Sequence, residues 1–289
     1  MRFFLPFALV ATLPALGQYG TFDTKAIAAA KANTTVVVLD DTNTGYNPAI
    51  TSAVKADWKF TAATDFINTA DLGTQPLDPA KNYLVRILRK DAEKHDAVFL
   101  ALVAGWKQKK GEALIVENGA VTNIPAAQEL ASIMIDPVLI GSTGSALLNV
   151  YVKHLQDYLK NVQSGKIKDK ATADRLYAGR TRLIKEMKLH IARTHLDKTV
   201  PDAAKVKETY THEFTIGDEA ANTALAGSSA DGAAITDVVI TGEHKTKWCF
   251  KRVFNARTGE LLYLRDDAAL FDKKLGFLSE DLRMIEQSR

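Results

Sequence analysis

The chain has 289 residues, 46% of them hydrophobic and 25% charged, with a formal net charge of +3. These proportions are those of an ordinary globular protein and exclude a low-complexity or intrinsically disordered chain. Cys249 is the only cysteine, which excludes an intrachain disulfide, so stability has to come from an apolar core.

The first residues, "MRFFLPFALVATLPALGQ", have the three parts of a secretory signal: Arg2 as the positive start, an apolar run from Phe3 to Leu13, and a small-residue cleavage site at Ala15-Leu16-Gly17. This predicts cleavage after residue 17, a mature chain from Gln18, and a secreted or periplasmic location. The apolar run is too short for a membrane span, which needs about 20 apolar residues, and no other stretch approaches that length. A lipid anchor would need a cysteine just after the run, and there is none.

An Ala-rich helix is predicted around Thr24 to Ala32. "TTVVVLDD" then reads as a buried strand. "YNPAITSAVKADWKF" reads as an amphipathic helix, with Asn47 as cap, Pro48 in the first turn, and Ile50, Val54 and Trp58 four apart on one face. Strands follow at 83–89 and 96–106. In 112–124, Asn118-Gly119 between apolar arms signals a tight hairpin. A loop with Asp136-Pro137 and "GSTGS" (141–145) closes this region, with Ser142, Thr143 or Ser145 placed to cap the helix that follows. Residues 146–162 carry a broad apolar stripe through Leu148, Leu155 and Leu159, and a second helix over 172–194 carries a narrower one through Leu176, Leu183, Met187 and Ile191. Together they predict a helical hairpin. Beyond Pro201 the period is two, in "KVKETYTHEFTI", "ITDVVIT", "KTKWCFKRVF" and "ELLYLRD", with "NARTGE" as a tight connection and "ALAGSSADGAA" (224–234) as a mobile loop. Trp248, Phe250 and Phe254 fall on one face of their strand, Cys249 and Val253 on the other, so both faces are at least half buried.

These elements predict an α+β protein with mixed and antiparallel sheets, an N-terminal strand-helix layer and a central basic helical hairpin. The regions are a signal peptide (1–17), an N-terminal α/β region (18–140), the hairpin (141–200) and a C-terminal β-rich region (201–289). From Tyr151 to Val200 there are twelve Lys or Arg against five Asp or Glu, a net +7 that leaves the rest of the chain at about −4. Such a face suits an anionic envelope component or a partner protein. Export and the lack of interleaved aromatics argue against nucleic acid.

The histidines do not form a zinc motif: His190 and His195 are five apart, and a zinc helix needs four. "GSTGS" lacks the glycine frame of a serine nucleophile elbow and the lysine of a nucleotide P-loop. Three separated pieces, "VVVLDDTNT", "LIGST" and "LLYLRDD", resemble in order and type the motifs of the haloacid-dehalogenase-type phosphohydrolases. That resemblance implies Asp40 as nucleophile, Ser142 or Thr143 as phosphate ligand, and Asp266 with Asp267 as ligands to Mg²⁺, a hard cation suited to oxygen donors. The chain departs from that family at Thr42, where a second Asp is usual, and in the tight turn before "YLRDD", which makes that strand antiparallel. The opening "TTVVVLDD…YNPAITSAVKADWKF" is similar to a class of uncharacterised exported bacterial envelope proteins, and "NARTGELLYL" to a strand-turn-strand of small exported binding or inhibitory modules; neither implies an activity. The sequence is read as an exported, non-catalytic envelope or binding component without a cofactor, with a magnesium-dependent phosphohydrolase as the alternative.

Overall fold

A computed structural model describes residues 19–42, 45–74, 77–243 and 246–289. The expected signal segment and His244 lie outside the described residues. Helix α1 (Thr24–Lys31) starts at Asp23, whose carboxylate accepts from the main chain of Lys25 and Ala26. The β-branched run forms β1 (Thr34–Leu39), and α2 (Tyr46–Asp57) follows with Ile50 and Val54 buried. Next come β2 (Thr64–Asn68), α3 (Thr69–Thr74), β3 (Lys81–Lys90) and β4 (Asp96–Ala104). The Asn118-Gly119 hairpin joins β5 (Val116–Glu117) to β6 (Ala120–Val121), and both turn residues take the positive φ that such a turn requires, 51° and 73°. β7 (Glu129–Ile135) closes the sheet.

The strand order is β2-β1-β3-β4-β7. β2, β1 and β3 run parallel, and β3, β4 and β7 alternate in direction. β1 pairs with β3 only as far as Leu84, and β6 takes the neighbouring place at Ile87. The short hairpin therefore sits just past the carboxyl end of β1.

After α4 (Pro137–Ile140) comes α5 (Leu147–Gln163), then α6 (Lys170–Arg180), β8 (Lys188–Ala192), α7 (Ala203–Lys207), β9 (Phe214–Gly217) and α8 (Glu219–Ser228). The chain ends in β10 (Ala233–Thr241), β11 (Trp248–Asn255), β12 (Leu261–Ala268) and α9 (Ser279–Gln287). The second sheet has the order β12-β11-β10-β8-β9. Its β10, β8 and β9 are parallel, while β10, β11 and β12 form an antiparallel meander. The fold is α+β with mixed sheets.

One apolar cluster joins the two sheets around α5. It contains Val37, Leu84 and Leu102 from the first sheet, Leu148, Leu155 and Leu159 from α5, and Ile235, Phe254 and Leu261 from the second. The three regions read from the sequence share this core. Polar groups bridge the sheets as well: Arg252, fully buried on β11, pairs with Asp237 at 2.6 Å and donates to the Met134 carbonyl at 2.8 Å. Thr241 donates to Asp91 at 2.6 Å.

Several expected elements differ. The second helix of the hairpin ends at Arg180 rather than Thr194; residues 188–192 are a strand paired between β10 and β9. The basic hairpin is thus the short pair α5 and α6, held by Arg180 on Asp157 at 2.6 Å. Asn47 is not a cap, because its side chain is engaged with the main chain of Asp40. Ser142 does not cap a helix either: its hydroxyl donates back to the carbonyls of Val138 and Leu139. Much of the expected mobile loop at 224–234 is the end of α8, started by the Asp218 carboxylate on Ala221 N. "KVKETYTHEFTI" is not a continuous strand, since it divides into α7 and β9.

Candidate binding groove

Asp40 and Asp41 directly follow β1, at the carboxyl end of the first sheet's parallel half. The Asp40 carboxylate is buried and forms an ion pair with Arg86 of β3, itself 4% exposed. Its other oxygen accepts from Thr42 N at 2.9 Å and Thr42 Oγ1 at 3.0 Å. Burial alone would push the acid up, but the Thr42 hydrogen bonds and the Arg86 charge hold its pKa below the ordinary carboxylate value. The guanidinium lies over the Tyr46 ring, 4.5 Å from its centroid. Gly119, at the tip of the β5–β6 hairpin, closes over the pair: a Cβ there would strike both the guanidinium and the carboxylate. Asp41 caps the start of α3, accepting from Thr69 Oγ1 and Ala70 N.

The other residues of the phosphohydrolase pattern lie elsewhere. Ser142 sits between α4 and α5 with its hydroxyl on main-chain carbonyls, and Thr143 begins the next short helical turn. Asp266 and Asp267 are on β12, the edge strand of the second sheet, antiparallel to β11. Asp266 accepts from Trp248 Nε1 at 2.7 Å, and Asp267 pairs with Lys251. The structure brings Asp40 to Arg86 and Asp267 to Lys251, and the two aspartate pairs have no partner in common. Among the described residues no group of three or more His, Cys, Asp or Glu is arranged to hold a metal ion. Cys249 is fully buried, and burial pushes its thiol up to about 12, so it packs as a small apolar residue. His195 is buried too, with Nδ1 3.0 Å from Thr236 Oγ1 and Nε2 3.5 Å from Glu219.

A groove of about 710 Å³ opens between α6 and β12. That volume lies within the usual size of a small-ligand site, roughly 300–1,000 Å³. Tyr177 and Ala178 of α6 form one wall, and Tyr263 to Asp266 of β12 form the floor. Met284 of α9, Glu93 of the β3–β4 turn, Tyr19 and Phe250 complete the lining. The helix brings its wall into place because the Asp169 carboxylate accepts from Thr172 N at 2.7 Å, fixing its first turn, while Thr181 Oγ1 at its end donates to Leu262 O at 2.8 Å.

The lining is mostly aromatic and apolar with a few charges. Tyr19 stacks on Tyr177 with centroids 6.2 Å apart and donates to Asp174. Burial raises the phenols of Tyr19, Tyr177 and Tyr263 above their ordinary value, so all three remain protonated donors at neutral pH. Lys170 pairs with Asp174 at 2.7 Å. Arg265 lies 3.5 Å from Asp281 and 3.3 Å from Glu280; although burial works against its charge, Asp281 and Asp267 keep it above its usual value. Met284 is 48% exposed, an apolar side chain held open to solvent at the rim.

The sequence pattern does not reveal this groove. Tyr177 falls in the predicted second helix but off its apolar stripe, and the predicted elements include no helix over 279–287. The usable signal was "LSEDLRMIEQ", which pairs acids in a first turn with Leu282 and Ile285 three apart, both fully buried. No family model, no curated protein and no solved structure matches this chain. Among the described residues no helix is long and apolar enough to cross a membrane.

Proposed function

We propose that this chain is an exported, non-catalytic binding component of the cell envelope, and that it binds through the groove between α6 and β12. The observation that carries the reading is the groove itself: about 710 Å³, lined by aromatic side chains and a few oriented polar groups. The signal-like start of the chain supports export to the periplasm or beyond. The basic side chains of the α5–α6 hairpin support an anionic envelope component or a partner protein as the neighbour. The magnesium-dependent phosphohydrolase is the second reading, on the placement of Asp40 at the carboxyl end of a parallel strand.

Two assays on the mature protein separate the readings. Anilinonaphthalene sulfonate, a small amphipathic anion, should bind in equilibrium dialysis, and Ala178→Trp, which fills the groove from an exposed helix position, should weaken that binding by about tenfold or more. Hydrolysis of p-nitrophenyl phosphate with Mg²⁺ should be absent or indifferent to Asp40→Asn. Equal dye binding by both proteins, or Mg²⁺-dependent hydrolysis that Asp40→Asn abolishes, would reverse the proposal.

A further inference from the structure

Four consecutive residues of β12, Tyr263 to Asp266, line the groove. Side chains of a strand alternate between the two faces of the sheet, so a cavity over one face meets only every second residue. A cavity that meets four in a row runs along the edge of the strand. β12 is the last strand of its sheet and, among the described residues, pairs only with β11. On its free side, alternate main-chain N–H and C=O groups point away from β11. Thr181 Oγ1 satisfies the Leu262 carbonyl at the start of this edge. Beyond that point Tyr263 to Asp266 make no main-chain hydrogen bond outside their ladder, among the described residues.

We infer that the groove takes an extended segment of a partner protein, which adds itself as a further strand to the free edge of β12. The inference rests on the binding reading above and names the ligand class. Recognition by strand addition draws its affinity from the main chain and its selectivity from alternate side chains. Here Leu264 and Phe250 would receive side chains on one face, and Tyr263 and Met284 on the other. The free edge is about 13 Å long at 3.3 Å per residue, enough to pair roughly four residues. The lining mixes Lys170 and Arg265 with Glu93, Asp174 and Asp266, so net charge is not the discriminating feature. A second copy of this chain is a poor occupant, since edge-to-edge pairing would bring its own α6 into the space that α6 already walls.

The test uses random linear peptides displayed on phage and selected against the mature protein, with the recovered sequence then synthesised in three forms. One peptide keeps its normal backbone; the other two carry N-methyl groups on alternate amides, one in each frame, which removes main-chain donors and leaves the side chains. The inference predicts that the normal peptide binds, that Ala178→Trp abolishes binding, and that methylation of the correct set weakens it by about tenfold for each main-chain hydrogen bond removed. If both methylation frames bind as tightly as the parent, strand addition is wrong and the groove reading survives. If no peptide distinguishes wild type from Ala178→Trp while the dye still does, strand addition fails in the same way. Loss of the dye difference as well would remove the binding reading itself.

Discussion

Lys251 is fully buried in the middle of β11, and the fold should depend on its charge. Its ammonium donates to Asp281 at 2.6 Å and to Asp267, and Asp281 is fully buried as well. Asp281 also accepts from Tyr263 Oη at 2.7 Å and from Leu278 N at 2.8 Å, tying α9 to the sheet. Lys251→Met keeps the aliphatic stem and removes the charge, leaving two carboxylates with less than their full compensation. Breaking a buried pair in this way costs roughly 3–5 kcal/mol. Arg265 lies 3.5 Å from Asp281 and supplies part of the missing charge, so a cost near 3 kcal/mol is expected. The assay is urea unfolding followed by circular dichroism, with the slope m unchanged and the midpoint lowered. Lys90→Met is the control: Lys90 pairs with Asp96 at 2.7 Å, but their side chains are 60% and 66% exposed, so the change should cost less than about 1 kcal/mol. Added salt should leave the Lys251→Met difference in place, because screening acts poorly on buried charges. Equal costs for the two variants, or a Lys251→Met cost below about 1 kcal/mol, would refute the argument.

Two further outcomes follow from the core. His154 on α5 is 4% exposed, and burial pushes its pKa from 6.5 down to about 4, so the folded protein holds it neutral while the unfolded chain protonates it below pH 6.5. Stability should therefore fall as pH drops from about 6.5 toward 4, by about 2 kcal/mol at pH 5, and His154→Leu should flatten that part of the urea-midpoint profile. Gly259 has a φ of 70°, and a Cβ there would lie 2.8 Å from Val150 O and 3.0 Å from His154 N. Gly259→Val combines backbone strain with a steric clash and should cost roughly 2–5 kcal/mol; thermal unfolding within a degree of wild type would show that the turn is not braced on α5.

The elements legible in the sequence were those whose burial is set by their own neighbours. "TTVVVL", "YLVRILR" and the run through Phe99 to Val103 are continuous apolar strands, and each is buried along most of its length. The antiparallel meander of β10 to β12 was legible because its pairings are local and Gly259 marks the turn. β8 was not: Leu183, Met187 and Ile191 are spaced four apart, which imitates a helix, whereas the strand is made by parallel partners distant in the chain. β7 escaped because "ELASIMI" has no alternation, being buried on both faces. Lys251 and Arg252 point to opposite faces of β11, and no local pattern signals the burial of either; the acids that let them be buried, Asp237, Asp267 and Asp281, come from three other elements. The groove was illegible for the same reason, since its walls come from positions as far apart as Tyr19, Ala178, Leu264 and Met284.

The central claim is that the cleft between α6 and β12 is where this protein meets its ligand. Site-specific photocrosslinking in the producing cells tests it most directly, with a photoreactive residue placed at Ala178 in the groove or at Lys207, an exposed position on α7 outside it. The account predicts a discrete adduct from position 178, lost when Arg265 and Met284 are both replaced by Ala, and none from position 207. Adducts from both positions alike, or from 207 alone, would contradict it.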